Sequence, residues 1–272
     1  MFKVLFLGEL TGKPGITCLK KGLEALKKKY DADYTIINAE GMTGGFGIGK
    51  VHAMTLPKMG IDLATGGEKL FYKVDMVEFL PKCGFVLRPY NFPMQCPGRG
   101  MKTVTIKDRK VFICNIMGNS DFPKLAIQNA FQSADYIAKK AKEENAILLV
   151  QFHAATTAEK NTMLHFLDGR CAAVIGTHTK VISADERVTE KGTAYISDNG
   201  RVGSYMSVSG FDPETEIEKL KMGIPLRSKE CWNDGVIQGV CVSIDEITGE
   251  AVGIEAFIEH VEIQNPKENE GR

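Results

Sequence analysis

Apolar runs of strand length recur along this chain, each followed by a glycine-rich turn or by apolar residues at helical spacing. Phe2 to Leu7 (FKVLFL) is long enough for one buried strand. After the turn GELTGKPG, the spacing from about Ile16 to Tyr30 predicts a helix with its lysines turned to water. Asp33 to Asn38 (DYTIIN) predicts a second strand, His52 to Met59 a short helix, IDLAT a third strand, and Phe71 to Leu80 another helix. Repeated strand-loop-helix units predict a mostly parallel sheet covered by helices.

The texture then changes. MKTVTIKDRKVFICNIM reads as two strands around a charged turn, the start of a second, more antiparallel sheet. Helical periodicity returns from about Lys124 to Glu144. The strand AILLVQF follows and ends at His153, then a helix over Thr157 to Leu167, then the strand AAVIG. Further strands are expected at GTAYISD and RVGSYMSV, a helix at Pro213 to Lys221, and a hairpin from Gly239 to Glu262 turning at Glu246 to Gly249. With no internal repeat or linker, residues 1–263 are expected to form one domain and 264–272 a loose polar tail.

Composition narrows the function classes. The chain is 43% hydrophobic and 25% charged, ordinary for a globular core, and its 34 basic and 34 acidic residues cancel. No broad nucleic-acid or membrane surface is expected, so a charged ligand must be met locally. Seven cysteines without CxxC spacing, mostly in apolar segments, read as small buried hydrophobes in a reducing compartment rather than as a disulfide or structural zinc framework. FKVLFL is too short for a signal peptide and no run approaches a membrane span, so a cytoplasmic protein is expected.

Five polar residues stand at or just after the carboxyl ends of expected strands: Glu9, Glu40, Glu68, His153 and His178. Ligands bind at that edge of open α/β sheets, and three acids with two histidines suit a metal or acid-base site. Solvated loop glutamates and buried structural histidines are the plain alternatives. In AAVIGTHTK, His178 and Lys180 lie two apart, so on an extended backbone both would reach into one site. Gly44 to Lys50 (GGFGIGK) matches a phosphate-loop pattern but has Val51 where the magnesium-binding hydroxyl belongs. Arg88 and Arg201, beside a strand end or turn, are candidate phosphate contacts or else salt-bridge residues.

In order along the chain, FLGELTGKPG, TIINAEG, ATGGE, LRPYNFP, QFHAATTAEK, VIGTHTKV and GTAYISD resemble the YmdB-type metallophosphoesterases of the calcineurin-like superfamily. The resemblance implies an α/β fold of four layers, two mixed β-sheets face to face with helices on the outer sides. It also implies a two-metal site, often iron, that hydrolyses phosphodiesters such as 2',3'-cyclic nucleotides, and a homo-oligomer. Carried over residue by residue, it puts Glu9 where the family has an aspartate ligand and Glu40 at the bridging glutamate, with Gly41 in place of the asparagine that follows. It puts Gly67 and Glu68 in place of an Asn-His pair, keeps His153 and His178, and puts Lys180 at the last histidine ligand.

An ammonium about 4 Å from a divalent ion costs about 8 kcal/mol at an effective dielectric near 20. Lys180 is therefore expected to replace the first metal as a cation between Glu9 and Glu40. A second ion (Fe, Mn or Zn) would keep Glu40, His153 and His178, with Glu68 as a further ligand, or as a general acid if its pKa were raised. Two readings follow: a weakly active or inactive homologue acting as a binding or assembly protein for an unidentified protein partner, or an active single-metal phosphodiesterase on a small phosphodiester.

Overall fold

Phe2, Val4 and Phe6 face one way from the first strand and Leu5 and Leu7 the other, and this alternation sets up the layers. The computed structural model describes residues 1–122 and 126–266. In chain order its elements are β1 (Phe2–Leu10), α1 (Gly12–Tyr30), β2 (Tyr34–Asn38), α2 (Lys50–Ala53), β3 (Leu63–Thr65), α3 (Asp75–Phe79), β4 (Val86–Leu87), β5 (Met101–Ile106) and β6 (Arg109–Met117). There follow α4 (Ala130–Glu143), β7 (Ile147–His153), α5 (Thr157–Leu167), β8 (Ala173–Thr177), β9 (Arg187–Val188), β10 (Ala194–Ile196), β11 (Arg201–Ser204), α6 (Pro213–Met222), β12 (Gly235–Ile244) and β13 (Ala251–Val261).

Two mixed sheets pack face to face. The first runs β13-β12-β11-β1-β2-β3-β4 and the second β5-β6-β7-β8-β10-β9. Phe2, Val4, Phe6 and Ile36 of the first meet Val111, Ile113, Leu149 and Ile175 of the second in an apolar middle layer. Leu5 and Leu7 pack outward on Leu19, Leu23 and Leu26 of α1, and Phe112, Leu148 and Phe152 pack outward on α4 and α5. Each such side chain contributes about 1.5–3 kcal/mol on burial, so the three clusters together carry the four-layer stack.

The inner face changes character towards the carboxyl ends. Ile36 gives way to Asn38 and Glu40, Ile113 to Asn115, Leu149 to Gln151 and His153, and Ile175 to Thr177, all buried. Alternation thus keeps one face and exchanges apolar for polar residues as the strands approach their ends, which puts a polar pocket at one edge of the sandwich.

Several expectations change at the boundaries. Helix α1 begins at Gly12, ahead of the expected start, because Pro14 in the first turn lacks only an N–H that would have no partner there. The helix expected over Phe71 to Leu80 is broken into a 3-10 turn at Leu70–Tyr72, α3, and a second 3-10 turn at Leu80–Lys82 that contains Pro81. The second sheet is less antiparallel than expected: β6, β7, β8 and β10 are parallel, and only its two edge pairs are antiparallel. The start of the helix expected from Lys124, and residues 267–272 of the expected tail, lie outside the described residues. All seven cysteines are free, and no described helix is long and apolar enough to cross a membrane.

Candidate functional site

Glu9 lies near the end of β1, and Glu40 follows β2 in a turn closed by Gly45 N–H to Gly41 O and Gly47 N–H to Glu40 O. Gly44, Gly45 and Gly47 all have positive φ, so the GGFGIG run serves this turn. Glu68 and Lys69 follow β3, His153 ends β7, and His178 and Lys180 follow β8. All converge on the polar edge.

His178 and Lys180 do not arrive by strand alternation. β8 stops at Thr177, and His178 and Lys180 have φ of 109° and 63°. That conformation is uncommon for a side chain with a Cβ and persists only where the surroundings hold it. Asp198 Oδ2 accepts from Thr179 N–H at 2.8 Å and from Lys160 Nζ at 3.0 Å, while Arg201 Nη1 donates to Lys180 O at 2.8 Å. Lys160 and Asp198 are almost wholly buried, so this ion pair is a fixed support under the turn. Arg201, one of the candidate phosphate contacts, donates from its other two nitrogens to Ser204 O and Tyr205 O and thus clamps backbone.

Lys180 Nζ lies 3.0 Å from Glu9 Oε1, and the Glu9 side chain is 1% exposed. Among the described residues neither Glu9 oxygen makes a hydrogen bond of regular geometry, so its charge is balanced by the Lys180 ammonium beside it and by the field of Lys69. The ammonium pairs with Glu9 rather than lying between two acids. Glu40 takes its partners from the backbone, its two oxygens accepting the N–H groups of Gly67 and Lys69. Burial, with Glu68 and Glu9 adding to it, outweighs His153 and the Gly67 amide and pushes the Glu40 carboxyl up to about 7.

The second half of the pocket centres on His153. Its Nδ1 is 2.9 Å from Thr177 Oγ1, and its Nε2 is 2.7 Å from Glu68 Oε2 and 3.2 Å from His178 Nδ1. Phe122 stacks on the His153 ring and meets His178 edge-on. Burial opposes charge on His153, but the Glu68 hydrogen bond and the surrounding acids raise its pKa. Burial and the His153 charge push His178 down to about 3. For Glu68, the His153 bond and the Lys69 ammonium outweigh burial and hold the carboxyl far below the usual range. A general acid needs the opposite shift.

Lys69 is the residue that sequence reasoning missed. Its Nζ is 2.9 Å from Glu68 Oε1, and although burial works against the ammonium, Glu9, Glu68 and Glu40 raise its pKa. Neighbours on an extended chain point apart, but Lys69 has φ −96° and ψ 0°, a bend that brings it in beside Glu68. Among the described residues the pocket therefore holds three carboxyl groups, two ammonium groups and a histidine pair.

These donors fit two metals unequally. Beside Glu9 a divalent ion would meet the Lys180 ammonium, so that position does not fit one. Among the described residues, Glu68, His153 and His178 present ligand atoms within 4.8 Å of one another, a two-imidazole, one-carboxylate set that suits one Zn, Fe or Mn ion. Arg88 lies apart from this cluster, its Nη1 donating to Pro89 O and Tyr90 O.

The sequence model of a family described as YmdB-like protein matches residues 5–257. A 2',3'-cyclic-nucleotide 2'-phosphodiesterase of Bacillus subtilis is 34% identical over 256 residues, covering 94% of this chain and 96% of that protein. The crystal structure of a novel phosphatase from Mycoplasma pneumoniae superposes with a TM-score of 0.89 at 30% identity, covering 99% of this chain and 96% of that one. A 5'-nucleotidase precursor from Thermus thermophilus shares the fold alone, at 10% identity and a TM-score of 0.58, over 98% of this chain and 55% of its own.

Proposed function

We propose, from the premise that this chain belongs to the YmdB-like protein family, that it is a phosphodiesterase homologue with one metal seat filled by its own lysine. On this reading it is weak or inactive in hydrolysis and acts by binding or assembly. The observation that carries this is the Lys180–Glu9 pair at 3.0 Å, with Glu9 buried and its oxygens without a hydrogen bond of regular geometry among the described residues. Two-metal hydrolysis relies on paired cations to clamp the phosphate and activate the attacking water. A tethered ammonium carries half the charge of a divalent ion and has no open coordination position. Glu68, with its carboxyl held ionised, has no proton to give a leaving group.

A second reading is favoured by the convergence of Glu68, His153 and His178. One Zn, Fe or Mn ion held by these three would supply Lewis-acid polarisation of a phosphodiester. Glu68, expected as a further ligand, is the acid that lies with the two histidines, while both Glu40 oxygens accept amide N–H groups. His153 would be oriented by Thr177, and Lys69 would keep Glu68 ionised. The substrate class on this reading follows the Bacillus subtilis relative: 2',3'-cyclic nucleotides.

Metal content of the purified protein, measured with turnover of 2',3'-cyclic AMP after incubation with Fe, Mn or Zn, separates the two. The first reading expects less than one bound ion per chain and turnover far below that of the Bacillus subtilis relative. One ion per chain with turnover abolished by His153→Ala establishes the second. Two ions per chain overturn both.

A further inference from the structure

Burying a guanidinium without a counter-charge is expensive, and Arg88 is such a case. It is 8% exposed, its Nη1 reaches only the carbonyls of Pro89 and Tyr90, its Nε has no partner, and no carboxylate pairs with it among the described residues. Arg88 follows β4 and opens into a groove of about 880 Å³ between the segment after β4, the start of β5, and α4. Arg99 and Lys140 line the same groove with Tyr90, Tyr136 and Gln128, and no acidic side chain lines it. Arg99 is exposed and has no ion pair among the described residues, and Lys140 lies 3.8 Å from Glu144 outside the lining.

We propose that this groove is a second ligand site, separate from the Glu68–His153 pocket, for a small molecule carrying a phosphate monoester and a planar ring. Three cationic side chains facing a space free of acids suit a dianion better than a single carboxylate, and guanidinium groups match phosphate oxygens in a fork. Arg88 is held by two carbonyls through Nη1 and its Nε is closed over, so Nη2 is the nitrogen left to reach a ligand, without a rotamer search. Tyr90 and Tyr136 supply ring faces, and Gln128 adds amide chemistry at the wall. The volume lies within the ordinary range for small-molecule sites. The inference does not depend on whether the other pocket binds metal.

Calorimetric titration with AMP, adenosine and inorganic phosphate tests it. AMP should bind more tightly than either fragment. Its affinity should fall by at least about tenfold in Arg99→Glu and in Tyr136→Ala, both exposed positions whose replacement leaves the core intact, and should persist in His153→Ala. Arg88→Gln should abolish binding where the variant folds, but the rim variants decide the matter without it. The proposal is overturned if AMP does not bind, if adenosine binds as well as AMP, if Arg99→Glu and Tyr136→Ala bind as the parent does, or if His153→Ala alone removes binding.

Discussion

Lys180 and Glu9 meet across the two sheets: the ammonium follows β8 of one and the carboxylate stands on β1 of the other, 3.0 Å apart and almost fully shielded from water. Each is anchored through its own strand, so the pair fastens the polar edge of the sandwich as well as balancing charge. Removing the cation should leave a buried carboxylate without its direct partner, with only the field of Lys69 to balance it. Lys180→Met is expected to destabilise the fold by about 3–5 kcal/mol, and adding Glu9→Gln should recover much of that loss. Urea unfolding of the four species measures the coupling; purely additive effects would count against a direct pair.

Adding side chains at two glycines of the pocket should not be neutral. At Gly67 an added Cβ would overlap the His153 ring, and at Gly41 it would come within 2.7 Å of Glu9 Oε1. Gly67→Asn should therefore displace His153 from Glu68 and cost about 1–3 kcal/mol, as overpacking does. Loss of the His153–Glu68 contact in a crystal structure of the variant checks the mechanism, and an unmoved His153 ring rules it out.

The turn bearing His178 and Lys180 rests on Asp198 and Lys160. Lys160→Met strips the cation from Asp198 in a fully buried place and should lower stability by about 3–5 kcal/mol. Asp198→Asn, which keeps shape but loses charge, should loosen the turn as well. Amide exchange at Thr179 is the readout: protection unchanged from the parent would deny Asp198 its tethering role.

Stability should peak on the acid side of neutrality. Glu68 is lowered from 4.5, so its contribution is present above pH 4.5 and is lost as pH falls. His153 is raised from 6.5, so its contribution is present below 6.5 and is lost as pH rises through its folded value. Glu40, raised from 4.5 to about 7, keeps its proton in the folded state where the unfolded chain has lost it, so its contribution falls with rising pH across that interval, while His178, lowered from 6.5 to about 3, contributes in the opposite sense up to pH 6.5, and the two offset until the net descent begins above 6.5. Unfolding measured from about pH 4 to pH 8 should show this shape, and Glu40→Gln should turn the level stretch below pH 6.5 into a rise with pH.

On the reading in which no ion is held, dialysis against a strong chelator should leave the melting temperature of the purified protein where it was. A metal bound only by the folded chain raises stability by mass action, so a marked drop on chelation would reveal one.

Much of the fold could be read from alternation, because strands buried on both faces and helices with one apolar stripe have different periods. α5 matches its expected bounds of Thr157 and Leu167, where Thr156 caps the Glu159 N–H. The region of Phe71 to Leu80 was misleading because its apolar spacing fits a helix while its backbone turns three times. At the site, Glu68, His153 and His178 could be read from their places at strand ends. Lys69 could not, since its direction depends on one bent residue. The support from Lys160 and Asp198 was also hidden, because a lysine inside a helix reads as solvated until tertiary packing closes over it.

A metal ion held by protein ligands comes and goes with its concentration in the surroundings, whereas the Lys180 ammonium is bonded to the backbone and cannot dissociate. Its effective concentration beside Glu9 is set by chain geometry alone. The electrostatic state of that half of the pocket is therefore inherited with the sequence and does not follow the supply of iron, manganese or zinc.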